Sequence, residues 1–275
     1  MSATRTPATV SSVAHCFVNA LSDGLRVDGP DGHHIARVLR ARVGETVTAA
    51  DNAGAWRAYD VAVTDGDVVD LVATTPVVTV DAPTPALAVA FGITKGAKPE
   101  TAIAHLTELG VDRIVPVLMA HSVVRWDDAK RDAALARFRT TAREAAMQSR
   151  RVRIPIVEPV ADFRSLLAHP ALIVGHPDGD AIADLAPRLA EPTGGEWCAV
   201  VGPEGGFSPD EHLALLSDAV SAPGRGPQRA AGRDGRTGGG RSPGFHSLKI
   251  SMFSGGASLV ASPATREVGG GRRSA

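Results

Sequence analysis

Gly202-Pro203-Glu204-Gly205-Gly206-Phe207-Ser208-Pro209-Asp210-Glu211 is the stretch whose reading decides the fold. It follows the apolar run Cys198-Ala199-Val200-Val201 and leads into a segment with helical spacing over residues 209–217, so it connects a buried strand to a helix. Gly205 and Gly206 let the backbone take positive φ and come close to a ligand. Ser208 and Glu211 have the spacing of a capping box, and Pro209 falls at the first helical position. Ligands of open α/β sheets bind at the carboxyl ends of strands, where this loop sits. A bare Gly-Gly would be read as a tight turn and nothing more; the ten-residue string is far more specific.

Upstream of the loop, strands alternate with helices. Strands are expected over residues 87–92, 113–118, 171–174 and 198–201, and helices over 99–109, 127–150 and 181–189. That rhythm is the α/β signature of a parallel sheet. Before it the pattern is different: short strand-like runs at 16–18, 45–49, 58–63 and 68–73 are broken by Asp-Gly and Asn-Ala-Gly turns, which reads as a small β-rich domain. Residues 33–40 interrupt that domain with one or two helical turns that place Ile35, Val38 and Leu39 on one apolar face and Arg37 and Arg40 on the other. The expected organisation is a β domain over 1–80, a Pro-containing linker over 81–85, an α/β domain over 86–220 and an aberrant, disordered tail over 221–275, rich in Gly, Arg, Ser and Pro.

A length of 275 residues suits two domains, at roughly 150 residues each. With 44% hydrophobic and 21% charged residues and no run of about 18 apolar residues, the composition points to a soluble globular protein without a membrane span. The first twelve residues lack the apolar core of a signal peptide, so a cytoplasmic location is expected. Cys16 and Cys198 lie far apart and fit buried thiols in a reducing compartment. A net charge of -1 gives no global nucleic-acid signature, so any RNA affinity must come from a local patch. The long helix supplies a candidate in Arg125, Lys130, Arg131, Arg137, Arg139, Arg143, Arg150, Arg151 and Arg153. Asp127, Asp128, Asp132 and Glu144 are interleaved, and a plain solvated face fits the same pattern. His33, His34, His105 and His121 form no metal-ligand spacing, and no metal is expected. Trp56 and Trp126 suit base stacking or packing equally.

Several segments, in order along the chain, carry a resemblance. Besides the glycine loop they are His34-Ile35 with Val38-Leu39-Arg40 and Gly44-Glu45; Lys95-Gly96; Thr107-Glu108-Leu109-Gly110-Val111; Ile114-Val115-Pro116; and Glu144-Ala145-Ala146-Met147-Gln148-Ser149-Arg150-Arg151 followed by Ile154-Pro155. Together they resemble the ribosomal RNA small subunit methyltransferase E family over residues 15 to 220. The resemblance implies a PUA-like RNA-binding β-barrel followed by a SPOUT domain with a trefoil knot. It implies transfer of a methyl group from S-adenosylmethionine (SAM) to N3 of a uridine in 16S rRNA of the small ribosomal subunit, by a homodimer. Carried onto this sequence, Gly202, Pro203, Glu204, Gly205 and Gly206 would bind the cofactor, Arg40, Arg125, Arg143 and Arg151 the RNA, and Glu144, Gln148 and Arg151 are candidates for orienting the base. No general base can be named. His121 stands where the family usually has an arginine, and His105-Leu106 replaces a lysine-containing pair.

The resemblance stops at the end of the chain. The family continues after the glycine loop with L-G and then L-R-x-E-T-A, a segment that threads the knot and closes the cofactor pocket; here Gln228-Arg229-Ala230-Ala231-Gly232-Arg233-Asp234-Gly235-Arg236 stands instead. Codons for these nine residues, read from the second base, permit Asn-Val-Leu-Arg-Ala-Glu-Thr-Ala, which contains the lost motif. A single-nucleotide frameshift near Val220 is therefore the expected origin of the tail, with weak or absent SAM binding as its consequence. The alternative function is a non-catalytic RNA- or ribosome-binding protein. An unrelated nucleotide-binding protein would need a phosphate-loop lysine motif or a dinucleotide fingerprint after the first strand, and neither occurs.

Overall fold

In the computed structural model, residues 6–122, 124–175, 192, 194–217, 247–253 and 256–262 are described. By packing, the chain forms two compact units that interleave along the sequence: Met1–Ala86, Lys95–Ile114 and Trp126–Val160 make the first, and Leu87–Thr94, Val115–Arg125 and Ala161–Ala275 the second.

The first unit contains the β-rich domain. Strands β1 (Ala14–Phe17), β2 (Gly24–Val27), β3 (Thr46–Ala50), β4 (Ala55–Asp65) and β5 (Val68–Ala73) pair in the order β1-β3-β4-β5-β2, with β6 (Val78–Thr79) on β4. β1 runs parallel to β3 and the other pairs are antiparallel. Cys16, Val47, Tyr59, Val69 and Leu71 fill the core of this sheet.

Residues 29–38 depart from the expectation. They form a short helix, α1 (Gly29–His33), that runs into one π-helical turn over His34–Val38, closed by the Leu39 amide on the His34 carbonyl at 2.9 Å. A bond spanning five residues widens the turn, so side chains spaced for a 3.6-residue period no longer share a face. Ile35 is buried as expected, whereas Val38 and Leu39 are exposed.

The same unit holds two long helices, α2 (Lys98–Glu108) and α3 (Asp128–Gln148), which pack together; Ile103 of α2 and Phe138 and Ala142 of α3 are fully buried. The Asp127 side chain accepts the Lys130 amide and so caps α3. The helix ends in a Schellman arrangement, with the Arg151 amide on the Ala146 carbonyl, the Arg150 amide on the Met147 carbonyl and Arg150 at φ 54.

The second unit is an α/β layer, while α2 and α3, whose segments the sequence reading put in the same domain as these strands, cluster with the first unit. β7 (Ala86–Gly92), β8 (Arg113–Leu118), β10 (Ala161–Asp162), β11 (Leu172–Val174) and β12 (Glu196–Val201) line up in the order β10-β8-β7-β12-β11; in the first unit, β9 (Ile156–Val157) pairs parallel with the first two residues of β8. The pairs β10 with β8 and β11 with β12 are parallel. Ala88, Ala90, Val115, Val117, Cys198 and Val200 make a core of small and branched side chains. α4 (Phe163–Leu166) and α5 (Pro209–Ser217) complete it. The helix expected over 181–189 and residues 228–236, which stand in place of the knot-threading segment, lie outside the described residues. Of the tail, β13 (Ser247–Phe253) and β14 (Gly256–Ser262) are described as an antiparallel pair joined to β11, where the sequence suggested no order. The remainder of the tail lies outside the described residues.

Candidate functional site

β12 ends inside the sheet and delivers the glycine loop. The Gly206 amide closes a turn on the Pro203 carbonyl at 2.8 Å with Gly206 at φ 70. A Cβ at Gly202 would stand 3.2 Å from the carbonyl carbon of Gly206, so the loop folds tightly on itself and a side chain there would push the Gly206 backbone outward. The capping box forms as its spacing suggested: the Glu211 amide donates to Ser208 Oγ at 3.2 Å, and the Ser208 amide to Glu211 Oε2 at 2.9 Å. Glu211 has a further role. Its Oε1 accepts the Ala120 amide at 2.7 Å, and the side chain is buried, tying the turn after β8 to the start of α5.

Two more residues hold this loop. A Cβ on Gly92, the last residue of β7, would lie 2.5 Å from Pro203 Cδ and 3.1 Å from Met119 Sδ. His121 Nδ1 sits 3.0 Å from the Gly205 carbonyl and 3.1 Å from that of Gly206. Both are acceptors, so this nitrogen carries the proton. On the helix side of the loop an open cavity of about 770 Å³ is lined by Ala120, Phe163, Leu167, Ser208, Glu211 and Ala214. The cavity is met by the capping residues Ser208 and Glu211 at the end of the loop, while the stretch from Gly202 to Gly206 offers mostly main chain.

Of the other sequence candidates, Arg40, Arg143, Glu144, Gln148 and Arg151 belong to the first unit and Arg125 to the second. Glu144 and Gln148 lie one turn apart on the exposed side of α3. Arg151 follows the helix end and turns inward: its Nη1 donates to the carbonyls of Thr107 at 2.8 Å and Val111 at 2.7 Å, and burial lowers its pKa from the usual arginine value. Arg143 grips Asp31 through both terminal nitrogens, and the hydrogen bonds it donates to that carboxylate raise its pKa.

The rest of the basic row on α3 is similarly engaged. Arg139 donates to the Val157 carbonyl, Arg150 to those of Val10 and Ser12, and Arg153 to those of Ala53 and Val80, while Arg137 pairs with Glu100. Arg40 and Arg125 are exposed, with no partner among the described residues. Trp56 is fully buried, and Trp126 packs against Phe138 with ring centroids 6.4 Å apart.

Two residues that position these groups, Gly92 and His15, and one contact of Glu211 were not singled out from sequence. Gly92 and the third contact of Glu211 depend on neighbours distant in the chain and leave no local signal. His15 in β1 is buried, with Nδ1 2.9 Å from Thr48 Oγ1 and Nε2 2.9 Å from the Arg151 carbonyl. The carbonyl can only accept, so Nε2 is the protonated nitrogen.

Residues 81–223 match the family described as RNA methyltransferase domain, and residues 27–72 the family described as RNA methyltransferase PUA domain. A ribosomal RNA small subunit methyltransferase E of Mycobacterium tuberculosis is 36% identical over 204 residues, covering 70% of this chain and 75% of that protein. One from Bacillus subtilis is 34% identical over 148 residues, 51% of this chain and 58% of that protein. The crystal structure of a ribosomal RNA small subunit methyltransferase E from Neisseria gonorrhoeae, bound to S-adenosyl methionine, is similar with a TM-score of 0.63 and 25% identity, over 79% of this chain and 90% of that one. A SAM-bound methyltransferase from Legionella pneumophila has a TM-score of 0.65 at 20% identity, over 76% of this chain and 87% of that one, a likeness of fold alone.

Proposed function

Because the chain belongs to the ribosomal RNA small subunit methyltransferase E family, we propose that it derives from, and where its C-terminal segment is intact acts as, a SAM-dependent methyltransferase of N3 of a uridine in 16S rRNA. The observation that carries this reading is the glycine loop, built from β12, braced by Gly92 and His121 and capped by Glu211.

Gly202, Pro203, Glu204, Gly205 and Gly206 would hold SAM through their backbone. The bound cofactor supplies a methyl group already activated on a sulfonium. What remains for the protein is to orient the uracil and to remove the N3 proton. Glu144 and Gln148, exposed side by side on α3, are our candidates for orienting the base; Arg151 acts by fixing the chain after that helix. The target uridine must leave its stack, because N3 is occupied in a paired base. We assign residues 1–80 to RNA binding, 81–85 to a linker and 86–220 to the methyltransferase domain, with a homodimer in the cytoplasm as the working form. No helix among the described residues is long and apolar enough to cross a membrane.

The second reading, RNA binding without catalysis, is favoured for this chain by one observation. The family match ends at residue 223, and no L-R-x-E-T-A follows. We attribute this to a frameshift near Val220. Calorimetry with SAM, and methyl transfer to naked 16S rRNA and to assembled 30S subunits, test both readings, using this chain and one with the reading frame restored. Restored SAM binding and N3-methyluridine in the second chain are expected. Ordinary SAM binding by the present chain would refute the truncation, and an inactive restored chain would refute the enzyme reading.

A further inference from the structure

The turn after β8 is closed by three hydrogen bonds. The Ser122 amide donates to the Met119 carbonyl at 2.9 Å, the Met119 amide to Ser122 Oγ at 3.1 Å, and the Ala120 amide to Glu211 Oε1 at 2.7 Å. His121 is therefore presented from a fixed support, and its Nδ1–H is shared between the carbonyls of Gly205 and Gly206. Those carbonyls belong to the peptides with the most freedom in the loop: Gly206 stands at φ 70, and glycine sets little steric barrier to a peptide turning over. A Cβ on Gly205 would lie 3.1 Å from His121 Cβ, so bare backbone at that position is what lets the imidazole approach. A trans peptide carries its C=O and N–H on opposite sides. With the Gly205 carbonyl on His121, the Gly206 amide is turned to the Pro203 carbonyl, which it meets at 2.8 Å. With the Gly206 carbonyl on His121, the Phe207 amide is turned away from the imidazole, and nothing among the described residues accepts it. The Phe207 nitrogen lies 3.3 Å from the point where a Cβ on Gly202 would stand, so glycine at 202 keeps that donor uncovered. Phe207 is half-buried, and an amide so placed costs free energy unless water or a ligand meets it.

We infer that His121 is a positioning residue for the cofactor: by holding the Gly205 and Gly206 carbonyls it aims the Phe207 amide outward, to donate to an acceptor atom of SAM. The inference rests on the RNA-methyltransferase reading and adds to it one donor and the residue that aims it. His121 acts through the loop and takes no part in the transfer. A donor held this way serves the bound cofactor before and during the reaction alike, so its loss raises KM for SAM and leaves kcat nearly unchanged.

The first arm of the test uses the full chain as it stands. Long-range proton–nitrogen NMR should show His121 protonated at Nδ1; a ring protonated at Nε2 alone would overturn the inference. The second arm uses the chain with its reading frame restored, with SAM affinity from calorimetry and KM and kcat from methyl transfer to rRNA. His121→Asn keeps a donor nitrogen one bond beyond Cγ, as Nδ1 is, and should bind SAM within about 2-fold of the parent. His121→Gln carries its nitrogen one bond further and His121→Ala has none. Both should weaken SAM binding about 10-fold, with KM for SAM rising by the same factor and kcat within about 2-fold. Gly202→Ala, which covers the Phe207 amide, should weaken it by about 10-fold as well. Equal SAM affinity in the asparagine and alanine variants, or a fall in kcat with KM unchanged, would overturn the inference. So would losses of affinity that follow stability in urea rather than the presence of the donor. If the restored parent binds SAM and methylates rRNA while every His121 variant keeps its affinity, the role of His121 fails and the enzyme reading stands. A restored parent that binds no SAM fails both.

Discussion

Replacing His15 by glutamine should change the pH dependence of stability in a way the structure specifies. Burial is the main cause that holds the His15 pKa down at about 4, against 6.5 for a free imidazole; its hydrogen bond to the Arg151 carbonyl works in the opposite direction, and the nearby Arg150 charge depresses it further. Between those two values the unfolded chain binds a proton that the folded chain does not. Stability from His15 is therefore complete above pH 6.5, falls by about 1.4 kcal/mol per unit as pH drops, and is fully lost below about 4. The total is about 3 kcal/mol, a large share of the ~5–15 kcal/mol that stabilises a typical domain. Glutamine offers a donor to the Arg151 carbonyl and an acceptor to Thr48 but does not titrate. Urea unfolding followed by the buried Trp56 at pH 7, 6, 5 and 4.5 should show the parent losing its advantage over His15→Gln steadily toward low pH. Parallel curves across that range, or a His15 titration near 6.5 by NMR, would refute the argument, because the imidazole would then be hydrated rather than buried between Thr48 and the Arg151 carbonyl.

Three further substitutions test how the loop and the helix end are held. Glu211→Ala strands the Ala120 and Ser208 amides and should cost about 3 kcal/mol in denaturant unfolding, with Glu211→Gln costing about half of that because an amide oxygen still accepts; equal losses would show that only the side-chain bulk matters. Gly92→Ala forces Pro203 aside and should destabilise by about 1–3 kcal/mol, read as a drop in melting temperature, and in a frame-restored chain it should weaken SAM binding; an unchanged melting temperature would mean the contact relaxes freely. Arg151→Lys ends short of the Nη1 position that bonds both the Thr107 and Val111 carbonyls and should cost about 2 kcal/mol, measured by urea unfolding at fixed salt; a neutral result would return Arg151 to the list of residues available to RNA.

How α3 was read from sequence and how it is used differ for a physical reason. Its arginines look like a cationic face because sequence reports charge and spacing, and the same pattern serves phosphates or carbonyls. Only the folded chain shows that the α2 end at Thr107, the β1 approach at Val10 and Ser12, and the Ala53 and Val80 carbonyls lie within reach. A carbonyl left unpaired by the strands and helices needs a donor, and a guanidinium with five N–H groups supplies several at once.

The sequence by itself determined the alternation that makes the α/β layer, the β-rich N-terminal domain, the capping box at Ser208 and Glu211, and the glycine loop that joins a buried strand to the following helix. Each of these is local, decided by spacing over a few residues or by the steric freedom of glycine and proline. The match that ends at residue 223 agrees with where the ordered motifs stop. Tertiary structure alone decided that Val38 and Leu39 face solvent, that Gly92 makes room for Pro203, that Glu211 also reaches Ala120, and that His15 stays neutral beneath the Arg151 carbonyl. Those outcomes depend on which distant groups the fold brings within about 3 Å of one another. No period or motif along the chain encodes that proximity.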